Sequence, residues 1–227
     1  MNYLIPNIFT ALGLLSGISA LVFGGWRKIT LACTFIFLAA FFDGFDGQMA
    51  RWLGAESRFG HAFDSYSDFV SFGLAPAALF LSIVWPHRNF LFVLTSILYV
   101  IGAAYRLMRF HRNSKDIELA PKGYFRGLPT TGSAIFLAAL VVANRPQFNH
   151  INLYVLCVLF LTFLMVSNIP YPHFRRLRNL ISPWEWMIIL FWILFCVVLK
   201  KSPYILVGMM SLYLLRGLTS FLLSLTK

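Results

Sequence analysis

Apolar runs of 17 to 25 residues recur along the whole chain. Each is long enough to cross a hydrocarbon layer about 30 Å thick as a helix rising 1.5 Å per residue. Eight such runs are read, at about 4–24, 29–51, 62–86, 89–110, 128–145, 151–168, 184–200 and 203–224. Gly24-Gly25, Pro86, Pro121, Pro146, Pro170, Pro172, Pro183 and Pro203 mark the breaks. A transmembrane barrel would show short alternating segments instead, so the expected fold is all-α: a polytopic membrane helical bundle of about eight spans. Composition agrees, because 12% charged residues cannot clothe a soluble surface that ordinarily carries about 25%.

The net charge of +11 raises the question of nucleic acid. The basic residues, however, stand in short links between apolar runs, where they act as topology signals and contact lipid headgroups. No nucleic-acid partner is expected. Eight spans place both termini on one side of the membrane. With the N-terminus inside, twelve Lys and Arg fall on the inner face and six on the outer, as the positive-inside rule requires. Cys33, Cys157 and Cys196 lie singly within apolar runs and are read as small core hydrophobes. The first apolar run lacks a basic leader and is counted as a span, not as a cleavable signal.

Four of the eight acidic residues crowd into one stretch at the inner end of spans two and three: Asp43, Asp46, Asp64 and Asp68. Spacings of three and four put Asp43, Asp46, Gly47 and Ala50 on one helical face, and Gly60, Asp64 and Asp68 on another. A short link makes the two helices antiparallel neighbours, so the carboxylates converge. Each intramembrane carboxylate costs several kcal/mol, and one or two divalent cations would remove that penalty. Oxygen donors suit Mg²⁺, Mn²⁺ or Ca²⁺ over Zn²⁺, and Mg²⁺ characteristically shares its coordination with substrate phosphates. Helix capping explains Asp43 poorly, since the apolar stretch Phe35 to Phe42 precedes it. Gly47, Ala50 and Gly60 either let helices pack closely or leave room for a flat base. A cation pathway is the rival reading, but it would place ionisable groups near the midplane of repeated halves, and no repeat is visible.

The pattern Asp43-x2-Asp46-Gly47-x2-Ala50-Arg51-x8-Gly60-x3-Asp64-x3-Asp68 resembles the signature of the CDP-alcohol phosphatidyltransferase family. The flanking Ser57-Arg58-Phe59-Gly60, Ser67-Asp68-Phe69-Val70-Ser71-Phe72-Gly73, Arg106-Leu107-Met108-Arg109-Phe110 and Phe125-Arg126-Gly127-Leu128-Pro129 are similar to its phosphatidylserine synthase subgroup. The resemblance implies a six-helix core over residues 1–170, followed by a basic link and two further helices over 171–227. It implies transfer of a phosphatidyl group from CDP-diacylglycerol to the hydroxyl of L-serine, with CMP released. It further implies an enzyme of the bacterial inner membrane, in contact with membrane lipids, that forms a homodimer, while the charge asymmetry turns its active site to the cytoplasm.

By the same resemblance, Asp43, Asp46 and Asp64 ligate two divalent cations, Mg or Mn, with Asp68 at the second ion and also the general base. Gly47 and Ala50 line the cytidine pocket with Asp43 beside it, and the stretch holding Asn7 and Thr10 closes over the nucleotide. Arg51 contacts phosphate or pairs with a carboxylate. The acceptor's carboxylate calls for a guanidinium, and Arg106, Arg109 and Arg126 are the candidates, each equally readable as a topology anchor. Tyr66, Ser71 and His61 are near enough in sequence to line the pocket. Sister enzymes of the family use other acceptors, such as glycerol 3-phosphate, inositol phosphate or choline.

Overall fold

The computed structural model describes residues 4–54, 57–87, 89–112, 124–144, 151–172 and 203–225. The first two apolar runs form α1 (Leu4–Gly25) and α2 (Ile29–Leu53). The turn between them ends α1 at Arg27, which adopts φ 58°. There the Lys28 amide donates to Phe23 O at 2.8 Å and the Arg27 amide to Gly24 O at 2.9 Å, closing the helix end in the usual left-handed manner. The expected glycine break at Gly24-Gly25 therefore lies inside the helix, with the turn just after it.

The third run begins earlier than its apolar pattern predicts. α3 spans Arg58–Asp68, and the Ser57 side chain caps it by accepting from the Gly60 amide at 2.9 Å. It continues without a break through a wide π turn at Phe69–Leu74 into α4 (Ala75–Val84). Pro76 accounts for the widening. It has no amide to give to the carbonyl four residues back, that of Phe72, and its ring crowds that carbonyl. Tyr99, on α5 (Phe90–Arg112), supplies the missing donor, its hydroxyl lying 3.2 Å from Phe72 O.

The remaining helices are α6 (Thr130–Ala143), α7 (Ile151–Val166) and α8 (Pro203–Leu225). Among the described residues, five helical segments are long and apolar enough to cross a membrane: α1, α2, the α3–α4 rod, α5 and α8. α6 and α7 are apolar but shorter. The expected run 184–200, Cys196 and the basic stretch Arg175-Arg176-Leu177-Arg178 lie outside the described residues. One feature departs from purely helical structure. β1 (Tyr124–Arg126) pairs antiparallel with β2 (Pro170–Pro172), with Phe125 opposite Tyr171. Pro170 and Pro172 have no amide to donate, which keeps this ladder to three residues.

The α3–α4 rod is the central element. Two thirds of its span (67%) is buried, against 33% for α1 and for α2. Serines along it donate into the backbone of α1: Ser67 Oγ to Thr10 O at 3.3 Å, Ser71 Oγ to Gly13 O at 3.2 Å, and Ser82 Oγ to Gly24 O. Such contact needs small residues opposite, and a methyl group on Gly17 would fall 2.2 Å from Ser71 Oγ. Phe72 and Phe80 of the rod share the buried core with Leu128, Leu137, Leu161 and Met165. Leu15, Ile18, Leu94, Ile101, Leu156 and Phe163 point outward. A continuous apolar exterior on so many helices belongs in lipid, and the protein is a multi-pass membrane protein. Cys33 is buried and Cys157 half-buried within it, as small hydrophobes.

Candidate active site

Carboxylates from α2 and α3 converge at the end where the acidic residues lie, with α1 packed against both helices. Asp43 comes from α2, and Asp64 and Asp68 from successive turns of α3. One carboxylate oxygen of each lies within 4.8 Å of the others. Asp43 and Asp68 are within hydrogen-bonding reach of each other, and Thr131 Oγ1, in the first turn of α6, lies 3.4 Å from Asp43 Oδ2. Asp46, only 6% exposed, stands outside this trio. Its Oδ2 accepts from Thr10 Oγ1 at 2.8 Å, which ties α1 to the site, and its charge interacts with those of Asp64 and Asp43.

Behind the carboxylates lies a buried cation. Arg106 on α5 is 8% exposed, its Nη1 donates to Thr130 Oγ1 at 3.1 Å, and its charge faces Asp68 and Asp43. Arg109, one helical turn later, has a different task. Its Nη1 donates to Val166 O at 3.0 Å, and its Nη2 to Arg126 O at 2.5 Å and Ser167 O at 3.1 Å. This guanidinium gathers the carbonyls left open where α7 ends and anchors them to β1. Gly127 makes that gathering feasible. It sits at φ 78°, and a side chain there would collide with Met165 O at 2.5 Å and Arg109 Nη2 at 2.6 Å. The clamp fixes the segment that leads into Thr130 and Thr131. Arg109 therefore supports the carboxylates through α6.

Gly47 and Ala50 are half-buried on α2, beyond Asp46. Asn7 Oδ1 lies 3.3 Å from where a Cβ on Gly60 would stand, so the start of α1 overhangs the start of α3. Arg51 lies in the last turn of α2, and its side chain lies outside what is described. Arg126 is half-buried in β1, its charge close to that of Arg109. Tyr66 is 71% exposed, while Ser71 is turned onto α1. His61 is exposed, with its charge near Asp64. Thr130 and Thr131 were not singled out by the sequence. Only their position directly after Gly127-Leu128-Pro129 could have pointed to them.

The sequence profile of the CDP-alcohol phosphatidyltransferase family matches residues 3–169. The chain belongs to this family. Among curated proteins, it is 29% identical over 230 aligned positions to a CDP-diacylglycerol–serine O-phosphatidyltransferase of Helicobacter pylori, covering 99% of this chain and 94% of that one. It is 34% identical over 176 positions to the protein of that name from Bacillus subtilis, covering 78% of this chain and 93% of the relative. A third, from Methanocaldococcus jannaschii, is 28% identical over 96% of this chain and 94% of its own. Among solved structures, the fold matches that of Mycobacterium tuberculosis phosphatidylinositol phosphate synthase with CDP-DAG bound, at a TM-score of 0.56 and 23% identity. That match covers 71% of this chain and 80% of the other.

Metal binding in this family can be tested against the side chains themselves. Three carboxylates with oxygens within 4.8 Å of one another form an all-oxygen donor set of the kind hard divalent cations take. Without a cation, three converging negative charges at a membrane-embedded position would repel strongly. The residues fit a divalent metal.

Proposed function

We propose that this protein is a CDP-diacylglycerol–serine O-phosphatidyltransferase, joining the phosphatidyl group of CDP-diacylglycerol to L-serine in phospholipid synthesis. The observation that carries the chemistry is the convergence of Asp43, Asp64 and Asp68 beside the buried cation Arg106. The names of relatives aligned over nearly the whole chain support serine as acceptor.

In this reading, Asp43, Asp46, Asp64 and Asp68 hold two divalent cations, Mg or Mn, which when bound neutralise the diphosphate and the charge developing on CMP. Asp68 takes the proton from the serine hydroxyl. The serine oxygen forms a bond to the lipid-linked phosphorus, and the bond from that phosphorus to the CMP oxygen breaks, CMP leaving with the electron pair. A carboxylate is a weak base for an alcohol, so the work of Asp68 depends on alignment and on proton transfer late in the step. Arg106 receives the serine carboxylate on the side of Asp68, which brings the hydroxyl toward the base. Asn7, Thr10, Gly47 and Ala50 bound the cytidine site, with the Thr10–Asp46 hydrogen bond holding α1 over it. Arg51 meets phosphate. Arg109 and Arg126 act as supports for the start of α6.

The chemistry resides in residues 1–170, the active site faces the cytoplasm of a bacterial inner membrane, and two copies of the chain pair as a homodimer. The deciding experiment supplies purified protein with CDP-diacylglycerol, Mg²⁺ or Mn²⁺ and a panel of alcohols. CMP release that depends on serine supports the reading. Release with glycerol 3-phosphate, inositol phosphate or choline, and none with serine, moves the protein to a sister activity.

A further inference from the structure

A buried polar seam joins α5 to α6 and ends at the active site. Tyr99 and Arg106 stand two turns apart on α5, and Thr130 and Ser133 one turn apart on α6. All four side chains are buried, and Tyr99, Thr130 and Ser133 are wholly so. Ser133 Oγ lies 2.9 Å from the Tyr99 hydroxyl and donates to Thr130 O at 2.8 Å. Thr130 Oγ1 then accepts from Arg106 Nη1 at 3.1 Å. The next residue, Thr131, has its Oγ1 3.4 Å from Asp43 Oδ2. Consecutive residues of one helical turn thus touch the buried cation and a carboxylate of the cluster. The chain that leads into this turn is itself pinned. The Gly127 amide donates to Ile169 O at 2.8 Å and the Leu128 amide to Leu164 O at 3.0 Å. Pro129, whose ring fixes φ, stands at φ −57° and ψ 138° immediately before Thr130.

We propose that Thr130 is a positioning residue for the acceptor, its hydroxyl oxygen holding the Arg106 guanidinium in the orientation that takes the serine carboxylate. The proposal rests on the serine reading above. An arginine side chain has many rotamers, and ordering it upon binding costs affinity unless the protein has already done so. Thr130 does so from a backbone fixed by Gly127, Leu128 and Pro129 on one side and by Ser133 on the other. The chemistry of the partner matters equally. A carboxylate at this position would pair with Arg106 and cancel the charge that an anion seeks. A threonine oxygen takes one of the five guanidinium N–H groups and leaves the charge whole. Because Thr131 stands beside Asp43, the same turn sets the distance between the anion-binding group and the carboxylate cluster.

The test is Thr130→Val in the full-length protein, which keeps the shape and removes the acceptor. The KM for serine should rise about tenfold, the scale of one hydrogen bond to a charged group. The KM for CDP-diacylglycerol, and the Mn²⁺ concentration giving half-maximal activity, should stay near wild type, because Asp43 keeps its own neighbour in Thr131. Thr130→Ser restores the oxygen without the methyl group, and its serine KM should return close to the wild-type value. If Thr130→Val does not fold, Thr130→Cys takes its place, since sulfur is a weak acceptor, and its serine KM should exceed that of Thr130→Ser. A serine KM unmoved by loss of the oxygen, an equal rise in both KM values, or a Thr130→Ser protein as impaired as the variant without the oxygen overturns the proposal. If wild type uses serine and one of these results appears, only the role of Thr130 falls. If wild type releases no CMP with serine, the serine reading falls and the proposal with it.

Discussion

Among single residues, Asp68 has the most demanding position, because it shares a cluster with Asp43 and Asp64 and faces Arg106. Asp68→Asn keeps the shape and removes the base. Turnover should fall about 10²- to 10⁴-fold, measured as CMP release, with Mn²⁺ binding and melting temperature followed separately. Activity above a tenth of wild type would exclude Asp68 as base. The four aspartates were legible from their spacing, since helical periodicity alone brings residues three and four apart onto one face. Their unequal surroundings were not. Asp46 stands one helical turn from Asp43, and its Oδ2 accepts from Thr10, thirty-six positions earlier in the chain. The candidate arginines divide in the same way. Arg106 and Arg109 are three residues apart on one helix, but α6 meets one of them and the end of α7 meets the other.

At the scale of elements, the fit of α1 against the α3–α4 rod depends on backbone contact with no room for side chains. Gly17→Ala introduces a methyl group into Ser71 and should destabilise the protein by about 1–3 kcal/mol, seen as a lower melting temperature in detergent. Gly25→Ala, where nothing lies within 4 Å, is the control and should melt as wild type does. The π turn makes a second prediction. Tyr99→Phe removes the hydroxyl that serves Phe72 O, the carbonyl stranded by Pro76, and should cost about 1–3 kcal/mol in the same assay. Pro76 is visible in the sequence. The donor that compensates for it comes from another helix, twenty-seven residues away, and no local pattern predicts such a partner. The serines at 67, 71 and 82 were equally hard to read, because a serine inside an apolar run looks the same whether it bonds its own helix or a neighbour.

For the whole molecule, orientation and metal dependence are the testable properties. In a cysteine-free background, Ser57→Cys at the active-site end should be shielded from an impermeant maleimide in intact spheroplasts and labelled after lysis. Lys28→Cys at the opposite end of α2 should be labelled in both. The reverse pattern would place the active site outside. Removal of divalent cations with EDTA should abolish CMP release, with Mg²⁺ or Mn²⁺ restoring it and raising the melting temperature, as a ligand of the folded state must. Activity that survives chelation would separate the carboxylate cluster from metal.

The sequence by itself determined the solvent and the class of fold, because hydrocarbon leaves a long apolar run almost no choice but a helix. It also marked out the acidic cluster, three of whose carboxylates the fold brings together. Six of the seven described apolar segments keep close to their expected bounds, and the exception, the rod that starts at Arg58, is extended by a polar turn that apolarity could not reveal. Of the four aspartates, legible from the first as one cluster, three converge within 4.8 Å and the fourth, Asp46, is also tied to α1 through Thr10. Only the tertiary structure decided that division. It also decided which arginine faces the site. Helical periodicity is a property of neighbouring residues, whereas the partner of a side chain across a helix interface is set by the packing of the whole bundle.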